Sequence, residues 1–318
     1  MRKLALFSLV LLQTNSLIAQ PLDEQIQLDV GGNDIYLEIA GPHREAPLLV
    51  FLHGGPGNAA ISFLPFRAET GRQLEQEFLI AYMHQRGDGK SSSVPASELT
   101  VSAHIDDVAK VVDFLMERYD QEKVHLLGHS WGGQLAVLYA DAHREAVDSL
   151  ILVSSPMSST YRDSLEFTLE WAQEVGNSEA VAQLIEMDPD VRTLEGIFTL
   201  NRWTAEARGG MVDFAKLFET YDINGEYPNW QERRNTILEA MGQEVSNLDL
   251  SPVISSLEIP ALFVSSARDA VVPEKTMRRD YENYAGPKQF VVLEDSHHIP
   301  FIDQPDDLAE AIRSFLLE

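Results

Sequence analysis

The chain has no cysteine, so no disulfide can brace it in an oxidising compartment and no lipid can be attached through a thiol. Its stability must come from a buried core. Basic side chains are scarce: 24 Lys and Arg stand against 50 Asp and Glu, a formal net charge of -26. Such a field repels nucleic acid and anionic membrane surfaces, which removes both from the expected partners. Two readings of the charge are left, a solvated acidic surface that keeps the chain soluble and a field that draws in cationic substrates. Long apolar runs are missing as well, since none approaches the roughly 20 residues that span a bilayer. There is no internal repeat, no low-complexity segment and no His-Glu-x-x-His pattern, so the sequence calls for no metal or cofactor.

What is present begins with a short apolar run. Arg2 and Lys3 precede Leu4 to Leu12, and a more polar stretch then ends in Leu17-Ile18-Ala19. Basic flank, short apolar centre and small residue before Gln20 have the form of a secretory signal peptide, residues 1–19, cleaved after Ala19. The expectation is a periplasmic or secreted protein without membrane attachment after cleavage. N-terminal sequencing of exported protein checks it, and a start at Met1 contradicts it.

At 318 residues the chain can bury a large core, either as one large domain or as a domain with a sizeable insertion. Alternation in Asp34 to Ile39, after the Gly31-Gly32-Asn33-Asp34 turn, predicts an antiparallel hairpin over Gln25 to Ala40 at a sheet edge. Leu48 to Leu52, Phe78 to Tyr82, Val124 to Leu127 and Leu150 to Ser154 are continuous apolar runs. They read as strands covered on both faces, as in a parallel sheet between helices. Helical spacing fits Ser102 to Tyr119 and Trp131 to Ala142. From Pro156 to about Leu250 the pattern is helical throughout, with Gly209-Gly210 and Asn224-Gly225 as breaks. The strand rhythm then returns at Ala261 to Ser265 and Gln289 to Leu293, each followed by a helix, Glu274 to Tyr284 and Pro305 to Leu317. The fold class is therefore α/β, a mostly parallel sheet (residues 20–155 and 251–318) interrupted by a helical cap (156–250).

Gly128-His129-Ser130-Trp131-Gly132 sits where a predicted strand meets a predicted helix, the context a Gly-x-Ser-x-Gly nucleophile elbow requires. A serine hydroxyl needs a base and a group to orient that base. Functional groups in an open α/β sheet gather beyond the carboxyl ends of its strands. Two such ends carry Arg268-Asp269-Ala270 and Ser296-His297-His298, giving the order serine, aspartate, histidine. Asp269 alone would read as a loop carboxylate that pairs with Arg268 or caps the next helix. His297 and His298 compete for the role of base. His53-Gly54-Gly55-Pro56-Gly57 follows the first parallel strand and offers exposed backbone N–H groups to an oxyanion; the N–H of Trp131 is the second expected donor. A phosphate cradle is the alternative for a Gly-rich turn, but this one lacks Gly-Lys-Ser/Thr.

With His53-Gly-Gly-Pro-Gly57, Gln85-Arg86-Gly87-Asp88-Gly89-Lys90-Ser91 and Gly128-His-Ser-Trp-Gly-Gly133 together, the sequence resembles the proline iminopeptidase branch of the α/β-hydrolase superfamily, from about Val50 onward. The resemblance implies Ser130 as nucleophile, Asp269 as acid, His298 (with Pro300 and Pro305 in register) as base, Gly55 and Trp131 as the oxyanion hole, and 156–250 as the cap. The chain departs from the branch at His84, where aspartate is usual, and at Ser266-Ala267-Arg268, where Gly-Arg-Tyr is usual. It also lacks the Trp-x-x-Trp-Glu run whose carboxylate holds a substrate amine. Glu174, Glu206 and Glu232, each shortly after a tryptophan, are the stand-ins, and each also reads as a solvated helix-face carboxylate.

The expected activity is that of a secreted serine hydrolase acting on a small molecule or short peptide, with an aminopeptidase that releases N-terminal residues, proline among them, as the first reading. An ester or lactone hydrolase with the same triad is the second, and an inactive hydrolase-fold binding protein is the reading from another class.

Overall fold

A computed structural model describes residues 21–191, 193–207 and 214–317; the signal-peptide expectation at 1–19 and the Gly209-Gly210 break lie outside these residues. Strands β1 (Leu22–Asp29) and β2 (Asp34–Gly41) form the edge hairpin, with Asp29 opposite Asp34. Side chains of β1 alternate between half-buried and exposed, the signature of a strand with one face in water. Its turn places Gly31 and Gly32 at φ 98° and 91°, where the Asp29 carboxylate accepts both of their N–H groups.

Next come β3 (Leu48–Leu52), β4 (Leu79–Met83), β5 (Val124–His129), β6 (Val147–Val153), β7 (Ala261–Ser266) and β8 (Lys288–Leu293). The sheet order is β1-β2-β4-β3-β5-β6-β7-β8, with every neighbour from β4 to β8 parallel. From β3 the chain moves outward to β4 and then crosses back to β5 on the other side of β3. Loops leaving β3 and β5 therefore diverge at one sheet edge, where ligands bind in open α/β sheets.

Helices α1 (Ala59–Phe66), α2 (Val101–Tyr119) and α3 (Trp131–Ala142) precede the inserted segment. Period two in the buried strands splits the core between the sheet's faces. Leu48, Val50 and Leu52 pack in one cluster with Val108, Val111 and Leu135, while Leu49 and Phe51 pack in the other with Phe63 and Phe66. Phe51 and Phe66 stack at 3.9 Å between ring centroids. α1 and the helical turns that carry it to Leu74 have no counterpart in the sequence reading. Seven of the eight residues of α1 are buried and Pro65 lies inside it, so the segment shows no amphipathic period to detect.

Between β6 and β7 lie α4 (Tyr161–Glu174), α5 (Ser178–Leu184), α6 (Leu194–Thr204), α7 (Phe214–Thr220), α8 (Ile223–Glu226), α9 (Trp230–Ser246) and α10 (Ser251–Ile254). Asn224-Gly225, expected as a break, falls inside the single turn of α8, because the Asp222 carboxylate caps that turn at Gly225 N–H (3.0 Å). The ends of the insertion meet where Leu250 N–H donates to Met157 O at 2.7 Å. Its own small core, built on Leu165, Trp171, Leu200 and Trp203, takes in Ala270 from the loop after β7. Beyond that loop, α11 (Glu274–Asn283) precedes β8, and α12 (Pro300–Asp303) and α13 (Pro305–Leu317) close the chain. No helix among the described residues is long and apolar enough to cross a membrane.

Candidate active site

At the end of β5 the backbone reverses through Ser130, held at φ 52° and ψ -121°. A residue with a β-carbon enters this region only under restraint. The restraint is packing: a β-carbon at Gly128 would sit 2.4 Å from the Gly133 nitrogen, and one at Gly132 would sit 2.0 Å from Leu52 O. Strand, turn and helix can approach this closely only with glycine at both positions, and Ser130 N–H is anchored on Val153 O at 2.9 Å. The hydroxyl is thereby presented at the start of α3, in the positive end of that helix.

Parallel pairing delivers the other groups to the same edge. His298 Nε2 lies 3.1 Å from Ser130 Oγ, and His298 Nδ1–H donates to Asp269 Oδ2 at 2.8 Å. Asp269 is completely buried, and its second oxygen accepts the N–H groups of Val271 (2.8 Å) and Val272 (2.9 Å). With Nδ1 carrying the proton toward the carboxylate, Nε2 is the bare nitrogen that can accept the hydroxyl proton. His297, the competing base, points elsewhere: its backbone N–H and Nδ1 both meet Asp303 Oδ2, at 2.8 and 3.0 Å.

The loop after β3 completes the wall. Gly55 has φ 129°, and a β-carbon there would meet Gly57 N at 2.5 Å, so the backbone comes close to itself and leaves its amides near the cavity. Gln85 ties this loop to the elbow, with its Nε2 donating to His53 O (2.8 Å) and its Oε1 accepting from Trp131 Nε1 (2.9 Å). Asp88 accepts the N–H groups of Ala59 and Gly89, each at 2.7 Å, and so starts α1. These are the jobs of the Gln85-to-Ser91 motif, which spacing alone did not disclose. His84, the departure from the branch's usual aspartate, stacks on Phe63 at 4.0 Å and accepts the Lys90 N–H. Burial holds its pKa well below the usual histidine value, so a neutral ring fills that place.

His129 sits beneath the base. Its Nε2–H donates to His298 O at 2.8 Å, and burial, helped by the neighbouring His298, lowers its pKa to about 3. It fixes the His298 backbone as a neutral ring and carries no charge of its own into the site.

Serine, buried aspartate and histidine in this chain order, with the serine on an elbow of a mostly parallel sheet, match a known architecture. The alpha/beta hydrolase fold family profile matches residues 47–184. The chain has the α/β-hydrolase fold. A Bacillus subtilis (strain 168) protein named "Probable aminopeptidase YbaC" is 26% identical over 306 residues, 90% of this chain and 94% of the relative. A Heyndrickxia coagulans protein named proline iminopeptidase is 25% identical over 311 residues, 91% of this chain and 97% of the relative. A solved proline iminopeptidase-related protein from Thermus thermophilus superposes with a TM-score of 0.69 at 21% identity, over 93% of this chain and 98% of that one. An esterase from Exiguobacterium antarcticum gives 0.64 at 21% identity, over 93% and 100%. At those identities the solved structures speak for the fold alone.

In this fold Ser130, Gly55 and Trp131 line one cavity of about 470 Å³, roofed by Tyr161, Leu200 and Asn201 from the inserted helices. Glu174, Glu206 and Glu232 are all exposed, and none of them lines it. Among its described lining residues the charged side chain is Arg234, on α9, a residue the sequence reading did not single out. Its signal was faint, two adjacent arginines in a chain poor in basic residues.

Proposed function

We propose that this α/β-hydrolase-fold protein is a serine hydrolase that cleaves small acyl compounds through an acyl-enzyme. The observation that carries the reading is the unbroken hydrogen-bonded line from Ser130 Oγ through His298 to buried Asp269, opening on a cavity. Ser130 Oγ attacks the substrate carbonyl carbon while its proton passes to His298 Nε2. The carbonyl oxygen becomes an oxyanion that the N–H groups of Gly55 and Trp131 receive; loss of one such donor typically costs about 3 to 4 kcal/mol. His298 then gives its proton to the departing amine or alkoxide as the carbonyl bond breaks. Water repeats the sequence on the acyl-enzyme, releasing the acid and restoring Ser130. Asp269 keeps the imidazole in the required tautomer and balances the charge it gains.

For substrate, the relatives that run along nine-tenths of the chain carry aminopeptidase names, which favours release of N-terminal residues, proline among them, from short peptides. Ester hydrolysis is the second reading. It is favoured by one feature, that no carboxylate among the described lining residues is placed to hold a free amine. Turnover of a prolyl amide beside a short-chain ester separates the two, with Ser130→Ala expected to abolish whichever is cleaved. Good ester turnover with none of the prolyl amide would sink the aminopeptidase assignment and leave the mechanism standing.

A further inference from the structure

Two adjacent arginines on α9 do different work. Arg233 is spent on the core: its Nε, Nη1 and Nη2 donate to the carbonyls of Gly87 (2.8 Å), Gly89 (2.8 Å) and Ser91 (2.6 Å). Arg234 turns to the cavity that contains Ser130. Only its Nε is committed, donating to Asn58 Oδ1 at 2.7 Å, and neither of its Nη groups has an acceptor among the described residues. No Asp or Glu among them pairs with it. Asp88, whose charge it senses, has both oxygens occupied by the N–H groups of Ala59 and Gly89. Gly57 packs so closely beneath it that a β-carbon there would stand 3.1 Å from Arg234 Cα, so the backbone of α9 lies against the Gly55 loop at this residue.

A guanidinium with two free amino groups, partly withdrawn from water and facing a cavity whose other described lining residues are uncharged, is an unfinished ion pair. We propose that Arg234 is the recognition site for a carboxylate on the substrate, so that the cavity selects anionic acyl compounds. Planar, paired N–H donors match a carboxylate in two parallel hydrogen bonds, and the hydroxyls and amides of Ser159, Asn201 and Gln134 nearby can serve a polar chain between the two ends. Burial pulls the Arg234 pKa down, a cost to its charge that a bound anion offsets. The long-range field of a chain with net charge -26 opposes approach of an anion, so selection rests on this short-range pair. The inference rests on Ser130 as the reacting group of the same cavity, and it is independent of whether an amide or an ester is cleaved.

The carboxylate has two possible sources, the far end of the acyl chain or the C-terminus of a dipeptide's departing half. One arm of the test compares p-nitrophenyl hydrogen adipate with p-nitrophenyl methyl adipate, and the other compares Pro-Gly with Pro-glycinamide. The wild-type enzyme should favour the anion over its neutral partner by about 10-fold or more in kcat/KM in at least one arm, the scale of one charge-assisted pair. Arg234→Gln should cut that ratio about 10-fold, and Arg234→Lys should restore part of it. A wild-type ratio at or below one in both arms overturns the proposal, as does a ratio that Arg234→Gln leaves unchanged. If Arg234→Gln does not fold, the wild-type ratios decide alone. If neither arm turns over, protection of Ser130 from a fluorophosphonate by monomethyl adipate and not by dimethyl adipate supports the proposal, and equal protection overturns it. Anion preference among the esters with no peptide cleavage keeps this inference and removes the aminopeptidase reading; peptide cleavage without anion preference in either arm does the reverse.

Discussion

Ser130, His298 and Asp269 are reached from three separate strand ends, yet hydrogen bonds hold them in one line. Asp269 shows how: one oxygen is fixed by two valine N–H groups and the other faces His298. Replacing it with asparagine preserves the shape and reverses one donor. An amide N–H facing His298 Nδ1 would favour the tautomer protonated on Nε2, which cannot take the serine proton. Asp269→Asn should therefore lower kcat by about 10³ to 10⁴ with KM little changed. Activity within a factor of ten of wild type would contradict the assigned role. This residue-level pattern was the most legible in the sequence, because Gly-x-Ser-x-Gly and the serine, aspartate, histidine order each depend on local chain chemistry. Choosing His298 over His297 from the residues alone was not possible, since neighbours in sequence differ here only in where the backbone aims them. The resemblance favoured His298, and the geometry places it against Ser130 and Asp269.

At the scale of elements, strands β3 to β7 were readable because burial on both faces leaves apolar runs, and the edge strand β8, only half-buried along most of its length, still keeps the apolar run Phe290 to Leu293. β6 begins at Val147, three residues before the run at Leu150 suggests, with exposed Asp148 breaking its apolar pattern. The same all-round burial hid α1, which has no polar face to give a helical period. The inserted helices were recognisable as helices, but their seating depends on single side chains. Arg233 is the plainest case, a buried-end clamp from α9 onto three carbonyls of the loop after β4. Arg233→Ala leaves those carbonyls to water and frees the helix that carries Arg234. The expected result is a loss of about 3 kcal/mol in denaturant unfolding, from three charge-assisted bonds of modest net worth, together with a raised KM. Unchanged stability and unchanged KM would show that α9 is seated by other contacts.

Across the whole molecule the acidic surface and the buried histidines set the response to pH. His104 and His129 are held neutral by burial, with pKa values lowered to about 4 and about 3, against about 6.5 in the unfolded chain. Below pH 6.5 the unfolded chain binds protons that the folded one refuses, so the stability these two rings contribute is full above that value. It falls on acidification until the folded values are reached, at about 1.4 kcal/mol per pH unit for each ring. Surface carboxylates titrate mainly near pH 4, so relief of the net negative charge adds little between pH 7 and 5. The melting temperature should drop measurably from pH 7 to pH 5, and replacing His104 with glutamine should flatten the drop; a rise over that interval would contradict this balance. The sequence announced the charge and not the burial of the histidines, because their neutrality comes from neighbours brought in by the fold.

All of the proposed chemistry depends on Ser130 being an activated nucleophile. Treatment of the folded protein with a fluorophosphonate, followed by peptide mapping by mass spectrometry, tests this directly. A single adduct on Ser130, lost in Ser130→Ala and strongly slowed in His298→Ala, is the predicted result. An unmodified Ser130 in folded wild-type protein, or labelling that persists in Ser130→Ala, would contradict it.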